Sequence, residues 1–152
     1  MKTKFLSAAF AAALLLTACG KATPEQPVVP EESAYTGTVT VIYEGAPFDN
    51  ENISVDFTPA EDGASASITI HQIRFVPQMP VTIDVTIPGI TLLGTAEKIL
   101  LSCARVVPLA MGGEYPRYTV TDLSGEIAGD ELVFSLKFGD YPTSFAGRRQ
   151  GL

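Results

Sequence analysis

Glu131-Leu132-Val133-Phe134-Ser135-Leu136-Lys137-Phe138 puts Leu132, Phe134, Leu136 and Phe138 at every second position. Alternation with period two, carried by aromatic and aliphatic side chains, marks a β-strand with one face in a core. The same period recurs upstream. Val39 and Val41 alternate with Thr38 and Thr40, and Ile53, Val55 and Phe57 with Ser54 and Asp56. Ile68 and Ile70 flank Thr69, and Val81, Ile83, Val85 and Ile87 alternate with Thr82, Asp84 and Thr86.

Between the runs lie Glu44-Gly45-Ala46-Pro47, Glu61-Asp62-Gly63, Pro88-Gly89, Gly112-Gly113 and Ala128-Gly129-Asp130. Each supplies the Gly or Pro that a tight reversal needs. Ile73 and Phe75 fall on the opposite parity from Ile68 and Ile70, which predicts a bulge near His71-Gln72. Short strands separated by tight turns predict an antiparallel meander that closes into a barrel or folds into a sandwich.

Thr95 to Val107 carries both periods. Ala96, Ile99, Leu100, Cys103 and Val107 stand at helical spacing, with Thr95 placed to cap and Pro108 to follow. Read with period two, Ile99, Leu101 and Cys103 face one way and Lys98 and Ser102 the other. Local propensity favours helix, the flanking strands favour strand, and the strand reading is adopted.

Upstream of Tyr35 the composition changes. Lys2 and Lys4 precede an apolar run from Phe5 to Leu16, the length of a signal-peptide core and too short to span a bilayer as a helix. Leu16-Thr17-Ala18-Cys19 follows. Gly20 to Ser33 holds Pro24, Pro27 and Pro30 with few large apolar groups, the composition of an extended tether. The division expected is a signal peptide at 1–18, a tether at 19–33, the barrel at 34–147 and a tail at 148–152. Arg148-Arg149 reads as a solvated end.

Loss of residues 1–18 from the 152 leaves 134, the size of one domain. With Lys2 and Lys4 gone, eight basic residues face seventeen acidic ones, a net charge of −9 that repels nucleic acid and anionic surfaces. Cys103 is then the one cysteine besides Cys19, so the domain has no disulfide to form and must rely on its core. Free cysteine is commonly buried, and Cys103 is expected to pack as a small hydrophobe.

Two stretches resemble known families. Leu16-Thr17-Ala18-Cys19 resembles the lipobox of bacterial lipoproteins, which implies lipid attachment at Cys19. More than one acyl chain on that residue makes a stable anchor. Leu123-Ser124-Gly125-Glu126-Ile127-Ala128-Gly129-Asp130-Glu131-Leu132 resembles the LSGKxxGDxL hairpin of bacterial calycin-like β-barrel lipoproteins. Tyr35 to Val41, Asp62-Gly63 with Ser67 to Ile70, and Met79-Pro80-Val81 resemble that family's first, third and fourth strands, in order. The likeness runs from about Tyr35 to Phe138 and departs between Ala96 and Met111, which is unusually apolar for a fifth strand. It implies a lipocalin-like barrel of about eight strands in an envelope lipoprotein, and it carries no binding residues. The tether has no acidic cluster behind Cys19, which favours a periplasm-facing place on the outer membrane.

No reaction centre is expected. His71 is the only histidine, no G-x-S-x-G elbow accompanies it, and Ser124 belongs to a hairpin. Hydrogen bonding beside a strand bulge is the role expected of His71. One His and one Cys fall short of a structural zinc set. Asp49-Asn50-Glu51-Asn52 lacks the glycine and the terminal glutamate of a calcium loop and reads as a polar connection between strands. Gly112-Gly113 lacks the lysine of a phosphate loop. Neither a cofactor nor a metal is expected, and nucleic acid is excluded as a partner.

The expectation is a lipid-anchored, non-catalytic envelope barrel that serves as an interaction or accessory module. A carrier of a small apolar ligand is the alternative. Bulky inward residues (Phe57, Ile83, Phe134, Phe138) favour a filled interior. A protein partner would then meet the loops, where Phe48, Tyr115 and Tyr141 are the candidate contacts.

Overall fold

Each alternating run folds as a strand that turns its apolar positions inward. The computed structural model describes residues 31–95 and 97–151, so the expected signal peptide, the lipid attachment at Cys19 and most of the tether lie outside the described residues. Among them β1 spans Ser33–Tyr43, β2 Ala46–Pro59, β3 Ser65–Ile73, β4 Ile83–Gly94 and β5 Lys98–Val106. Two short strands follow, β6 at Leu109–Ala110 and β7 at Gly113–Glu114. The chain ends with β8 at Val120–Ala128, β9 at Glu131–Phe138 and β10 at Tyr141–Arg149.

The long strands pair antiparallel in the order β3-β2-β1-β10-β9-β8-β5-β4, and a β3–β4 pairing closes the ring. The fold is therefore a closed eight-stranded antiparallel barrel, consistent with a calycin-like architecture. Strand direction alternates, so the connections gather at two ends. The upper end holds the β1–β2 turn, the β3–β4 loop, the segment from β5 to β8 and the β9–β10 turn. The lower end holds the other turns, the start of β1 and the finish of β10.

Leu132, Phe134, Leu136 and Phe138 are all buried, as are Val39, Val41, Ile53, Val55, Phe57, Ile68 and Ile70. An eight-stranded barrel is just wide enough for side chains to fill, and Tyr35, Phe57, Phe75 and Phe138 are among the largest fully buried ones. The rings of Phe134 and Phe145 stack at 5.3 Å. A Cβ added at Gly125 would sit 2.5 Å from Phe134 Cβ, and one at Gly147 would strike the Phe145 ring. The Phe145 ring thus covers the bare backbone of Gly147.

The bulge at His71-Gln72 is present. The β3–β4 register shifts between Ile70 and Ile73, and Gln72 takes φ 57°. Ile73 and Phe75 return inward, fully buried. Pro88-Gly89 does not reverse the chain: it lies inside β4 as a bulge, with the β3–β4 register shifting between Ala66 and Ile68 and Gly89 at φ 70°. Two further bulges have no counterpart in the sequence reading. In β8 the register against β9 shifts between Thr121 and Ser124, Asp122 takes φ 54°, and both Val120 and Leu123 reach the core.

The second lies at Asp49-Asn50-Glu51-Asn52, which is not an inter-strand connection. These residues belong to β2, whose register against β1 jumps from Gly37↔Ile53 to Val39↔Asn50 around Asn52 at φ 56°. The reversal occurs earlier, at Glu44 (φ 51°) and Gly45 (φ 78°), a pair of positive φ angles suited to a two-residue hairpin.

Val81 does not join the inward stripe. The last β3–β4 pair is Ile73↔Ile83, so Val81 lies beyond the rim without a neighbouring strand, 61% exposed, and Ile83 is only half-buried. Lys98–Val106 is a strand, because β8 pairs with it from Lys98↔Ala128 to Val106↔Val120. Long-range pairing overrides its helical spacing. Cys103 points inward opposite Leu123 but is half-buried, not buried. At the carboxyl end Arg148 and Arg149 pair with Thr36 and Tyr35 within the barrel wall. Arg148 lies 3.7 Å from both Asp130 and Glu131, and Arg149 stands over the Tyr35 ring.

Candidate functional site

The upper end is roofed by aromatic side chains, and the bulge in β2 is what builds it. That bulge presents Asn50 to the β3–β4 loop, where Asn50 Nδ2 donates to Arg74 O at 3.1 Å. Its Oδ1 accepts the Arg74 N–H at 2.9 Å. The next residue, Phe75, then drops into the barrel mouth, its N–H directed at Met79 Sδ at 3.1 Å. The Phe75 ring stacks on Tyr118 at 4.1 Å and meets Phe138 edge-on at 5.0 Å.

Tyr118 closes a 3-10 turn, Pro116–Tyr118, which Pro116 starts with its preset φ. Side chains three residues apart eclipse in such a turn, so Tyr115 lies parallel on Tyr118, 5.2 Å away at 9°. Tyr141 flanks Tyr118 at 6.2 Å, Tyr43 lies 6.3 Å from Tyr141, and Arg117 sits 5.6 Å over the Tyr118 ring. The Gly139 N–H donates to Thr119 O at 2.9 Å and ties the roof to the β9–β10 turn. Burial raises the Tyr118 phenol above the ordinary tyrosine range, so it stays neutral.

Of the three candidate contacts, Tyr115 and Tyr141 meet on Tyr118. Phe48 stands apart on the rim, opposite Val41, and packs against the core. All three are half-buried. The sequence reading missed Tyr118 and Phe75, the centre of the cluster. The Tyr115-to-Tyr118 spacing behind Pro116 was the available signal.

Two other places offer polar chemistry. On the outer wall Thr91, Ser102, Ser124, Ser135, Ser144 and Thr40 stand in one register row across six strands. Thr40 Oγ1 ends the row by donating to Asp49 Oδ1 at 2.7 Å. Thr40, Ser124, Ser135 and Ser144 of this row line an open groove of about 590 Å³ outside the barrel, bordered by Glu126 and Val133.

At the β3 bulge, His71 Nε2 lies 2.8 Å from Asp56 Oδ2, and His71 Nδ1 lies 3.1 Å from Asp84 Oδ2. The ring bridges β2 and β4 in the hydrogen-bonding role expected of it. The carboxylates sit on opposite nitrogens and do not converge. Among the described residues no three His, Cys, Asp or Glu side chains form a metal set.

The Asp56 hydrogen bond, reinforced by Asp84 and opposed by partial burial, raises His71 above its ordinary value near 6.5. Asp84 is lowered, chiefly by the Gln72 N–H and against the cost of desolvation. A raised histidine contributes stability that is full below its unfolded value and is lost as pH climbs through the folded one. The lowered Asp84 contributes above its unfolded value and loses that contribution as pH falls through the folded one. The side chains are a third or more exposed, so each pair is worth about 0.5 kcal/mol. Between about pH 6 and about pH 9 the melting temperature should fall by roughly 2–4 °C more in the wild type than in His71→Gln. Parallel pH profiles would show that the bridge contributes nothing.

No protein-family model, curated protein or solved structure gives a significant match to this chain.

Proposed function

We propose that the chain is a lipid-anchored, non-catalytic β-barrel of the bacterial cell envelope, a calycin-like lipoprotein that engages a protein partner through its upper end. The observation that carries this reading is polarity along the barrel axis. The segment leading from Cys19 enters at Ser33, at the lower end, and the aromatic roof lies at the opposite end. A barrel held at the outer membrane by acylated Cys19 would thus point Tyr115, Tyr141 and Phe48 into the periplasm. Tyrosine is favoured at such contacts because it couples a large apolar face to a polar tip. Fully buried Tyr35, Phe57 and Phe138 leave the interior to side chains and speak against the carrier alternative.

Metabolic palmitate labelling should mark the wild type and not Cys19→Ala, and equal labelling of both would refute the anchor. A Phe48/Tyr115/Tyr141 triple alanine variant should lose its partner in a pull-down from solubilised envelope while it retains a cooperative melt. A fluorescent fatty-acid probe should show no saturable binding. Micromolar saturation would restore the carrier.

A further inference from the structure

The β4–β5 hairpin projects at the lower end. β3 accompanies β4 only to Ser65↔Thr91, with one more bond from the Leu92 N–H to Ala64 O at 2.9 Å. β4 and β5 continue together through Leu93↔Leu100 and Gly94↔Ile99 to the turn, where Thr95 and Lys98 exchange hydrogen bonds at 3.0 and 3.2 Å. Leu93 thus has β5 on one side and, among the described residues, no strand on the other.

Alternation assigns the two faces of this projection. Leu92, Ile99 and Leu101 turn into the barrel and are at most 6% exposed. Leu93 and Leu100 turn outward, directly opposite each other, 59% and 43% exposed. Side chains so placed touch across the pair, and the two leucines form one apolar patch. The outward pair above them is Thr91 and Ser102, the polar kind that a solvated wall calls for. On the β8 side the patch ends at Glu126, paired with Leu100 and 3.8 Å from the Lys98 ammonium.

The patch lies across the barrel from the tether. Ser33 opens β1, and β5 is four strands from β1 in either direction round the ring of eight. The tether therefore joins one side of the lower end, and the hairpin projects from the other. Gly20 to Ser33 counts 14 residues and reaches at most about 50 Å. A surface held within that reach stands at high effective concentration, which lets a contact too weak to form from free solution persist.

We propose that the outer face of the β4–β5 hairpin rests on the lipid bilayer that carries the anchor, with Leu93 and Leu100 at the boundary of headgroups and acyl chains. The inference rests on the lipid-anchor reading for the presence of that bilayer. Apolar side chains beside a lysine suit the boundary: the leucines enter it, and Lys98, its side chain 58% exposed, meets the lipid phosphates. Tether and hairpin then hold the barrel at two opposite points of its lower rim. Such a stance stops it pivoting about the tether and keeps the aromatic roof turned away from the membrane.

The chain contains no tryptophan, so Leu93→Trp introduces a single reporter. Protein expressed from its full sequence is extracted in detergent and reconstituted into phosphatidylcholine vesicles with or without brominated acyl chains. Bromine quenches indole only at close range, and emission of Leu93→Trp should fall about twofold for a side chain about 5–10 Å into the boundary. Val81→Trp, beyond the upper rim and 61% exposed, should keep its emission. Adding Leu100→Asp to Leu93→Trp should remove the quenching while the protein still sediments with the vesicles and melts cooperatively. Protein that does not sediment with vesicles would refute the anchor, and this contact with it. Sedimentation without quenching of Leu93→Trp, equal quenching of Leu93→Trp and Val81→Trp, or quenching that survives Leu100→Asp would overturn the contact alone. Blue-shifted emission indifferent to bromine would assign the face to the tether, or to a second copy if the shift grows with protein density, and would overturn the contact equally.

Discussion

Gly37→Ala should destabilise the fold by about 3 kcal/mol or more, the largest effect expected of any single methyl group in this barrel. Gly37 faces Gly147 across the β1–β10 pair. A Cβ at Gly37 would overlap the carbonyl oxygen of Ala146 and lie 2.5 Å from the Gly147 Cα. Both are backbone atoms, so no rotamer change relieves the clash, and β1 must part from β10. Overpacking of this kind costs about 3 kcal/mol or more, a large share of the roughly 5–15 kcal/mol that holds a domain folded. Gly113→Ala is the matched control, because nothing lies within 4 Å of its added Cβ. A thermal melt of Gly37→Ala within about 2 °C of the wild type would show that the strands do not approach this closely.

Phe75→Ala should cost about 3–5 kcal/mol, the range for truncating a fully buried aromatic ring. The ring is 0% exposed and joins the β3–β4 loop to Tyr118 on one side and Phe138 on the other. Its removal strips the inner support from Tyr118 and, through it, from Tyr115 and Tyr141. Denaturant unfolding measures the loss. Near-ultraviolet circular dichroism should lose tyrosine signal even below the transition, because the rings no longer hold fixed mutual orientations. A loss of stability under about 1 kcal/mol would mean that the roof does not depend on this plug.

The wall of the barrel was legible in the sequence, and its departures from regularity were less so. Leu132 to Phe138 declares a strand because burial on one face forces period two, and neighbours on both sides respect it. The slip from Ile70 to Ile73 showed as a parity change because both sides of that bulge carry large apolar residues. Asn52 and Asp122 showed nothing, since polar residues that take positive φ look the same in a loop as in a bulge. Val81 continued the alternation past the end of its partner strand, and composition records a side chain's preference, not whether a neighbour reaches it. Tyr115 and Tyr141 could be named as loop aromatics. That they meet on Tyr118 depends on a 3-10 turn and on a ring delivered from the β3–β4 loop, contacts between segments far apart in the chain.

The position of β1 has a mechanical consequence. Hydrogen bonds to β2 and β10 flank it on both sides, and Gln150 fastens its start through Ala34 O and Thr36 Oγ1 while also reaching Ser54 Oγ on β2. A pull entering at Ser33 and resisted at the aromatic end runs along the strand axis. Both ladders then bear the load together, in shear, and do not open one rung after another. A barrel drawn by its leading strand in this way yields at a higher force than one tugged from a peripheral edge.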